Sequence, residues 1–168
     1  MNYEIRWAVE ADAGELGMIH ANSWKVAYDG IIPNAVLEKV SSEKRAASFL
    51  KVITEKSEET AVVVADTRIV GFITLGRCRD EDLSIDHGEV WGIYLSPGNW
   101  RIGIGSLLLN WGISELAASG YKKVSLWVLE DNHNARRFYE NHGFIHDGTI
   151  KQLMIGKEIN EIRYIKVI

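Results

Sequence analysis

"GEVWGIYLSPGNWRIGIGSLLLNWG", residues 88–112, is the stretch on which the reading of this chain turns. Its first part is β-rich and stops at Pro97, which cannot donate to a sheet ladder. Gly103 and Gly105 then lead into Ile104, Leu107, Leu108 and Trp111, spaced i, i+3, i+4, i+7 as on one face of a helix. A strand that turns into a helix over glycines leaves the first helical N–H groups unpaired, at the positive end of the macrodipole, with no side chains in front of them. Such a turn can receive an anion; without a ligand, the same glycines serve the turn alone.

Working outward, the N-terminal "NYEIRWAV" (2–9) alternates as a strand, and helices are expected over roughly 11–28 and 34–54, the second entered through Pro33 and Asn34. "TAVVVADTRIVGFITLGRC" (60–78) reads as a hairpin folded at "ADTR". After the glycine turn the helix runs to about 119, where Gly120 ends it. "KKVSLWVL" (122–129) is a strand, "DNHNARRFYENHG" (131–143) a helix with Gly143 just past its end, and "EINEIRYIKVI" (158–168) a final strand. The order β, α, α, β, β, β, α, β, α, then further β predicts an α/β domain of the α+β kind, with a mixed, mostly antiparallel sheet flanked by helices. It also excludes two phosphate motifs. The dinucleotide fingerprint needs a third glycine where Leu108 stands, and the P-loop needs a Lys and a Ser or Thr where Ser106 and Leu107 follow Gly105.

With 168 residues and 46% hydrophobic content, the chain is expected to form one domain, 1–168, that buries roughly two-thirds of its unfolded surface without a staple. The single cysteine, Cys78, excludes an intramolecular disulfide and reads as a small strand residue. A net charge of −4, with Lys and Arg scattered, argues against nucleic acid and mildly favours a cationic partner. No apolar run reaches membrane-spanning length, and "MNYEIRWAVEADAGE" (1–15) has neither the basic nor the apolar region of a signal peptide. No membrane partner and a cytoplasmic location are therefore expected. The five histidines are read as offering no clustered ligand set, so no metal is predicted. The acidic run "RDEDLSIDHGE" (79–89) reads as a solvated loop, with charge steering as its functional alternative.

The run "WRIGIGS" (100–106) resembles the acyl-CoA-binding motif of the GNAT superfamily of N-acyltransferases, Q/R-x-x-G-x-G/A, with Trp100 at the first position and Arg101 one place late. "LWVLEDNHNARRFYENHGF" (126–144) is similar to the same family's strand and N-x-x-A-x-x-F/L-Y-x-x-x-G-F helix, with Asn132, Ala135, Phe138, Tyr139, Gly143 and Phe144 in place. The resemblance covers residues 88–144 in order and spacing, and the front "SWKVAYDGIIP" (23–33) looks like some small bacterial members.

That resemblance implies an acetyl-CoA-dependent N-acetyltransferase. The pyrophosphate would meet the N–H groups of Ile102, Gly103, Ile104, Gly105 and Ser106, with the Arg101 side chain as a substitute for the motif's first residue. The pantetheine arm would lie on the backbone of Ile93 and Leu95, which requires that strand to splay from the one starting near Lys123. A strand N–H at Ile93 or Tyr94 would face the carbonyl oxygen, and Asn132 and Ala135 would complete the cofactor contacts. Ser106 and Asn132 are equally plausible as helix caps. An alkylamine with a reference pKa near 10.4 is neutral in only about one molecule in a few thousand at pH 7, so a base is needed. Glu89 is the candidate base, through a water, on a face expected to include Trp91 and Ile93. Tyr139 is the candidate acid for the departing thiolate, with a core aromatic as its alternative.

The acceptor, a small-molecule or peptide amine, is expected to enter beside Trp24 and Tyr28, steered by Asp80, Glu81, Asp82 and Asp86. The family also implies a homodimer through the last strands. A CoA-binding regulatory module without catalysis is the alternative reading, against which the pair Glu89 and Tyr139 argues.

Overall fold

The computed structural model describes residues 2–168. Strand β1 (Tyr3–Trp7) is followed by α1 (Ala13–Ala27), a one-turn α2 (Asn34–Leu37) and α3 (Ser42–Glu55). Then come β2 (Glu59–Ala65), β3 (Arg68–Arg77), β4 (His87–Leu95), α4 (Ile104–Ala118), β5 (Lys123–Leu129), α5 (His133–Asn141), β6 (Ile145–Met154) and β7 (Glu158–Val167). The strands make one seven-stranded sheet in the order β1-β2-β3-β4-β5-β7-β6, antiparallel everywhere except between β4 and β5.

Two elements differ from the sequence expectation. The helix predicted over 34–54 is two helices, because Ser41 is extended and its hydroxyl accepts from the Lys44 N–H at 3.2 Å, capping a fresh start. The final strand has an antiparallel partner, β6, whose side chains are mostly exposed, so it carries little alternation to read.

Both faces of the sheet are covered. Ile104, Leu108, Leu109 and Leu116 of α4 pack with Ala61, Val63, Ile73, Leu75, Val124 and Leu126 on one side. Leu16 and Ile19 of α1 and Phe49 of α3 pack with Val62 and Phe72 on the other. The run "AVVV" in β2 is buried on both faces, as a central strand requires, and each fully buried Val or Leu is worth roughly 1.5–3 kcal/mol.

The middle of the sheet is where this order breaks. The parallel pair β4–β5 is joined only at His87↔Lys123, Gly88↔Val124 and Glu89↔Ser125, after which the strands part. At the same level β4 carries an extra residue: Thr74 opposes Gly92 while Leu75 opposes Val90, so Trp91 is bulged. The bulge shifts the alternation. Ile93 and Leu95 join Val90 on the α4 face, whereas Tyr94 packs with the α1–α3 cluster. Glu89 and Trp91 do share a side, since both meet Arg79, but Ile93 does not share it as the simple pleat predicts.

Candidate active site

The gap between β4 and β5 opens into a cavity of about 1000 Å³. Its first end is the glycine turn. Gly103 caps α4 at φ +91°, and Arg101 just before it holds φ +61° despite its Cβ, a conformation costing roughly 1–2 kcal/mol. The first intrahelical bond of α4 runs from Leu107 N–H to Gly103 C=O at 3.1 Å, so the N–H groups of Ile104, Gly105 and Ser106 have no acceptor inside the helix. A Cβ on Gly105 would lie 3.4 Å from both Leu95 and Phe138, so the bare residue keeps the backbone approachable there. Arg101, Gly103, Gly105 and Ser106 line the cavity. Two expected neighbours do not: Ile102 is exposed, and the Ile104 side chain is buried in the core. Their side chains do not line the cavity, and the Ile104 N–H remains part of the turn.

The free edge of β4 forms the wall between the two ends. Ser96 N–H donates to Val70 C=O at 2.8 Å, and the alternation of an antiparallel pair then turns Tyr94 toward β3 and Ile93 and Leu95 toward the gap. Of the two strand donors considered from sequence, Ile93 N–H therefore faces the cavity and Tyr94 N–H does not. The Leu95 carbonyl is already doubly engaged, accepting from Ser23 Oγ at 2.7 Å and from Trp100 Nε1 at 2.9 Å. Trp100, the departure from the family's motif, thus pins the turn to the end of β4.

On α5, Asn132 accepts from Ala135 N–H at 3.3 Å, so it caps its helix while it lines the cavity beside Ala135. Tyr139 is both things its spacing allowed: it belongs to the main core cluster, edge-on to Phe138 and Phe144, and it lines the cavity. Burial, with the neighbouring Tyr94, pushes its hydroxyl well above the ordinary phenol range, so it keeps its proton at neutral pH. Tyr28 is pushed up likewise by burial and by Tyr94.

The other end of the cavity holds Glu89, only 1% exposed. Its Oε1 accepts from the Arg79 backbone N–H at 3.0 Å, and its Oε2 accepts from Arg79 Nε at 3.0 Å and from Arg79 Nη2. The Arg79 guanidinium in turn lies 4.3 Å above the Trp91 ring. A carboxylate offers about four acceptor positions, so one remains for a water or a substrate N–H. Trp24 and Tyr28 stand in this wall as expected, and the Trp24 Nε1 is buried with no partner among the described residues.

Part of the acidic loop is engaged within the fold. Asp80 and Asp82 turn inward to hold the buried Arg163, with Asp147 completing the clamp at 2.7 Å, and Asp80 also accepts from Trp127 Nε1 at 2.9 Å. Asp86 accepts from Ser84 and faces His87 at 3.0 Å, leaving Glu81 exposed to solvent. Cys78, Asp80 and Glu89 bring ligand atoms within 4.8 Å of one another, yet all three already have partners, Cys78 through Ser125 Oγ at 3.3 Å. His142 and His146 do have the i, i+4 spacing. Gly143, at φ +83°, ends the helix between them, and their Nδ1 atoms engage separate carbonyls, those of Phe138 and Arg163.

Arg79, Trp127, Lys151 and Glu161 are cavity residues that the sequence did not single out. The signal for Arg79 was present: it lies ten residues before Glu89, across a loop joining paired strands. For β6 and β7 there was none.

The comparisons with known proteins agree with this architecture. The model of the acetyltransferase (GNAT) family matches residues 27–144, and the chain belongs to that family. It is 30% identical over 132 residues to the uncharacterized N-acetyltransferase YuaI of Bacillus subtilis, covering 76% of this chain and 72% of that protein. It is 27% identical over 149 residues to the spermidine N(1)-acetyltransferase of Thermoplasma acidophilum, covering 86% and 89%. The solved PaiA N-acetyltransferase of Thermoplasma acidophilum, in complex with coenzyme A, superposes with a TM-score of 0.79 at 24% identity and full coverage of both chains. The protein is an acetyltransferase. Among the described residues no helix is long and apolar enough to cross a membrane.

Proposed function

We propose that this acetyltransferase moves an acetyl group from acetyl-CoA to the primary amine of a small molecule or peptide, with Glu89 as general base and Tyr139 as general acid. The observation that carries the reading is the meeting, in one cavity, of a bare helix N-terminus, the open edge of β4, Glu89 and Tyr139. The residues fit the cofactor: the N–H groups at 104–106 suit a pyrophosphate, and the gap past Glu89 suits an extended arm paired to Ile93 and the Leu95 N–H. The thioester supplies an activated acetyl group.

The chain's own residues do the rest. Glu89 accepts the amine proton at its open position, through a water, as the N–C bond forms. Ile93 N–H donates to the carbonyl oxygen as it gains charge. Tyr139 gives its proton to the sulfur as the C–S bond breaks. The acceptor's cationic character is supported by the acidic wall and by a relative named for acting on spermidine.

The test is calorimetric titration with acetyl-CoA, with ATP and NAD as controls, followed by thiol release with a panel of amines. Saturable binding of acetyl-CoA alone, and amine-dependent release, is the expected result; no binding at millimolar ligand by folded protein defeats the reading.

A further inference from the structure

Glu161, on β7, lies in the wall of the cavity at the end occupied by Glu89 and Trp91. Its side chain is 19% exposed, and its nearest cation, Lys151 Nζ, stands 3.9 Å away, a separation that Lys151 also keeps from Asp80. That is too long for a hydrogen bond. The other carboxylates of this wall are committed: Glu89 to Arg79, and Asp80 to Trp127 and Arg163. Lys151 itself lies over the Trp127 ring at 4.0 Å, which holds it beside Glu161 without bonding to it. At this end of the wall three carboxylates (Asp80, Glu89, Glu161) stand with two cations (Arg79, Lys151). Burial raises the Glu161 carboxyl above the ordinary range, the mark of a charge short of compensation. A half-buried carboxylate with no donor is completed by a cation that brings N–H groups.

The register says how far apart the two open carboxylates are. Glu89 pairs with Ser125 of β5, and Glu161 with Leu129 of the same strand. Four residues at about 3.3 Å each separate those levels by roughly 13 Å of backbone, and an even separation keeps both on one face of the sheet. Two glutamate side chains reaching into the cavity shorten that span.

We propose that Glu161 is a specificity-determining residue that holds a second ammonium of the acceptor, so that the enzyme selects linear aliphatic diamines and polyamines whose reacting amine sits at Glu89. The inference rests on the acetyl-transfer reading above. A monoamine of the same length fills the cavity without completing Glu161, and pays the full cost of leaving that carboxylate unmatched.

The test compares 1,6-diaminohexane with n-hexylamine, at saturating acetyl-CoA, in the wild type and in Glu161→Gln and Glu161→Asp. The expected result is a rise of about tenfold or more in KM for the diamine in Glu161→Gln, partial recovery in Glu161→Asp, little change in kcat, and an unchanged KM for the monoamine. A purely structural role would move both amines together, and that outcome, or no change with either, overturns the inference. Turnover of neither amine while acetyl-CoA still binds overturns it too and leaves the acyl-CoA reading standing. Failure to bind acetyl-CoA defeats that reading instead. Melting curves establish that each variant is folded.

Discussion

Arg79 donates three hydrogen bonds to the carboxylate of Glu89, which is otherwise shut away from solvent. The pair supplies three donors to a carboxylate at the floor of a cavity, and the guanidinium approaches from the Trp91 side and leaves one acceptor position open. Replacing Arg79 by Ala strands the carboxylate. Because the Arg79 side chain is 52% exposed, the expected loss of stability is at the low end for a broken pair, about 1–3 kcal/mol, read by urea denaturation.

Glu89→Gln keeps the shape and removes the proposed base. The expected outcome is a fall in kcat of about a hundredfold or more at neutral pH, with the acetyl-CoA dissociation constant unchanged. Equal turnover in the variant would move the base elsewhere in the cavity.

Tyr139→Phe keeps the ring contacts with Phe138 and Phe144 and removes only the hydroxyl. Turnover is expected to drop by about a hundredfold, with melting temperature and acetyl-CoA binding nearly unchanged. A thiol with a lower pKa as leaving group should recover part of the rate, since it needs less help from a proton donor. Uniform loss with all thioesters would instead mark Tyr139 as packing.

Gly105→Val puts a branched side chain where a Cβ alone already lies 3.4 Å from Leu95 and Phe138. Calorimetry should show acetyl-CoA affinity reduced by at least about tenfold, because the helix N–H groups are screened. A Gly105→Ala variant, at ordinary contact distance, is expected to lose less.

His20 supplies a pH prediction. It is buried among Phe49, Phe72, Trp24 and Tyr94 with Arg45 alongside, and burial first, then Arg45, lowers its pKa from 6.5 to about 4. Between those values the unfolded chain holds a proton that the folded chain refuses. Stability should therefore fall as pH drops from about 6.5 toward 4, by up to about 3 kcal/mol from this residue. Denaturation midpoints for His20→Gln should show a shallower slope over that window, and an identical slope would assign the acid sensitivity to other groups.

What the sequence disclosed was local. The glycine turn, the caps at Gly120 and Gly143, and the helix carrying Tyr139 are each set by residues within a few positions of one another, so spacing reveals them. What it hid depends on residues far apart in the chain. Ser23 reaches a carbonyl 72 positions away, and Arg163 gathers carboxylates 81 and 83 positions before it, so the acidic loop read as solvated although two of its aspartates pair with Arg163. The bulge at Trp91 left no mark either, since one extra residue changes which face Ile93 occupies without changing the composition of the strand. Trp100 looked like a defect in a motif and proves to be a brace on Leu95.

Among the described residues, the three residue pairs that join β4 to β5 are also the only direct strand-to-strand seam between the front of the molecule, β1 to β4, and the back, β5 to β7. A folded chain with so short a seam is a sheet one strand short of continuity, and a ligand that lies in the gap acts as the missing piece. Occupancy at a hundred times its dissociation constant adds about 2.7 kcal/mol to the stability of the whole. The protein's resistance to heat and to proteolysis thus becomes a gauge of how much ligand surrounds it.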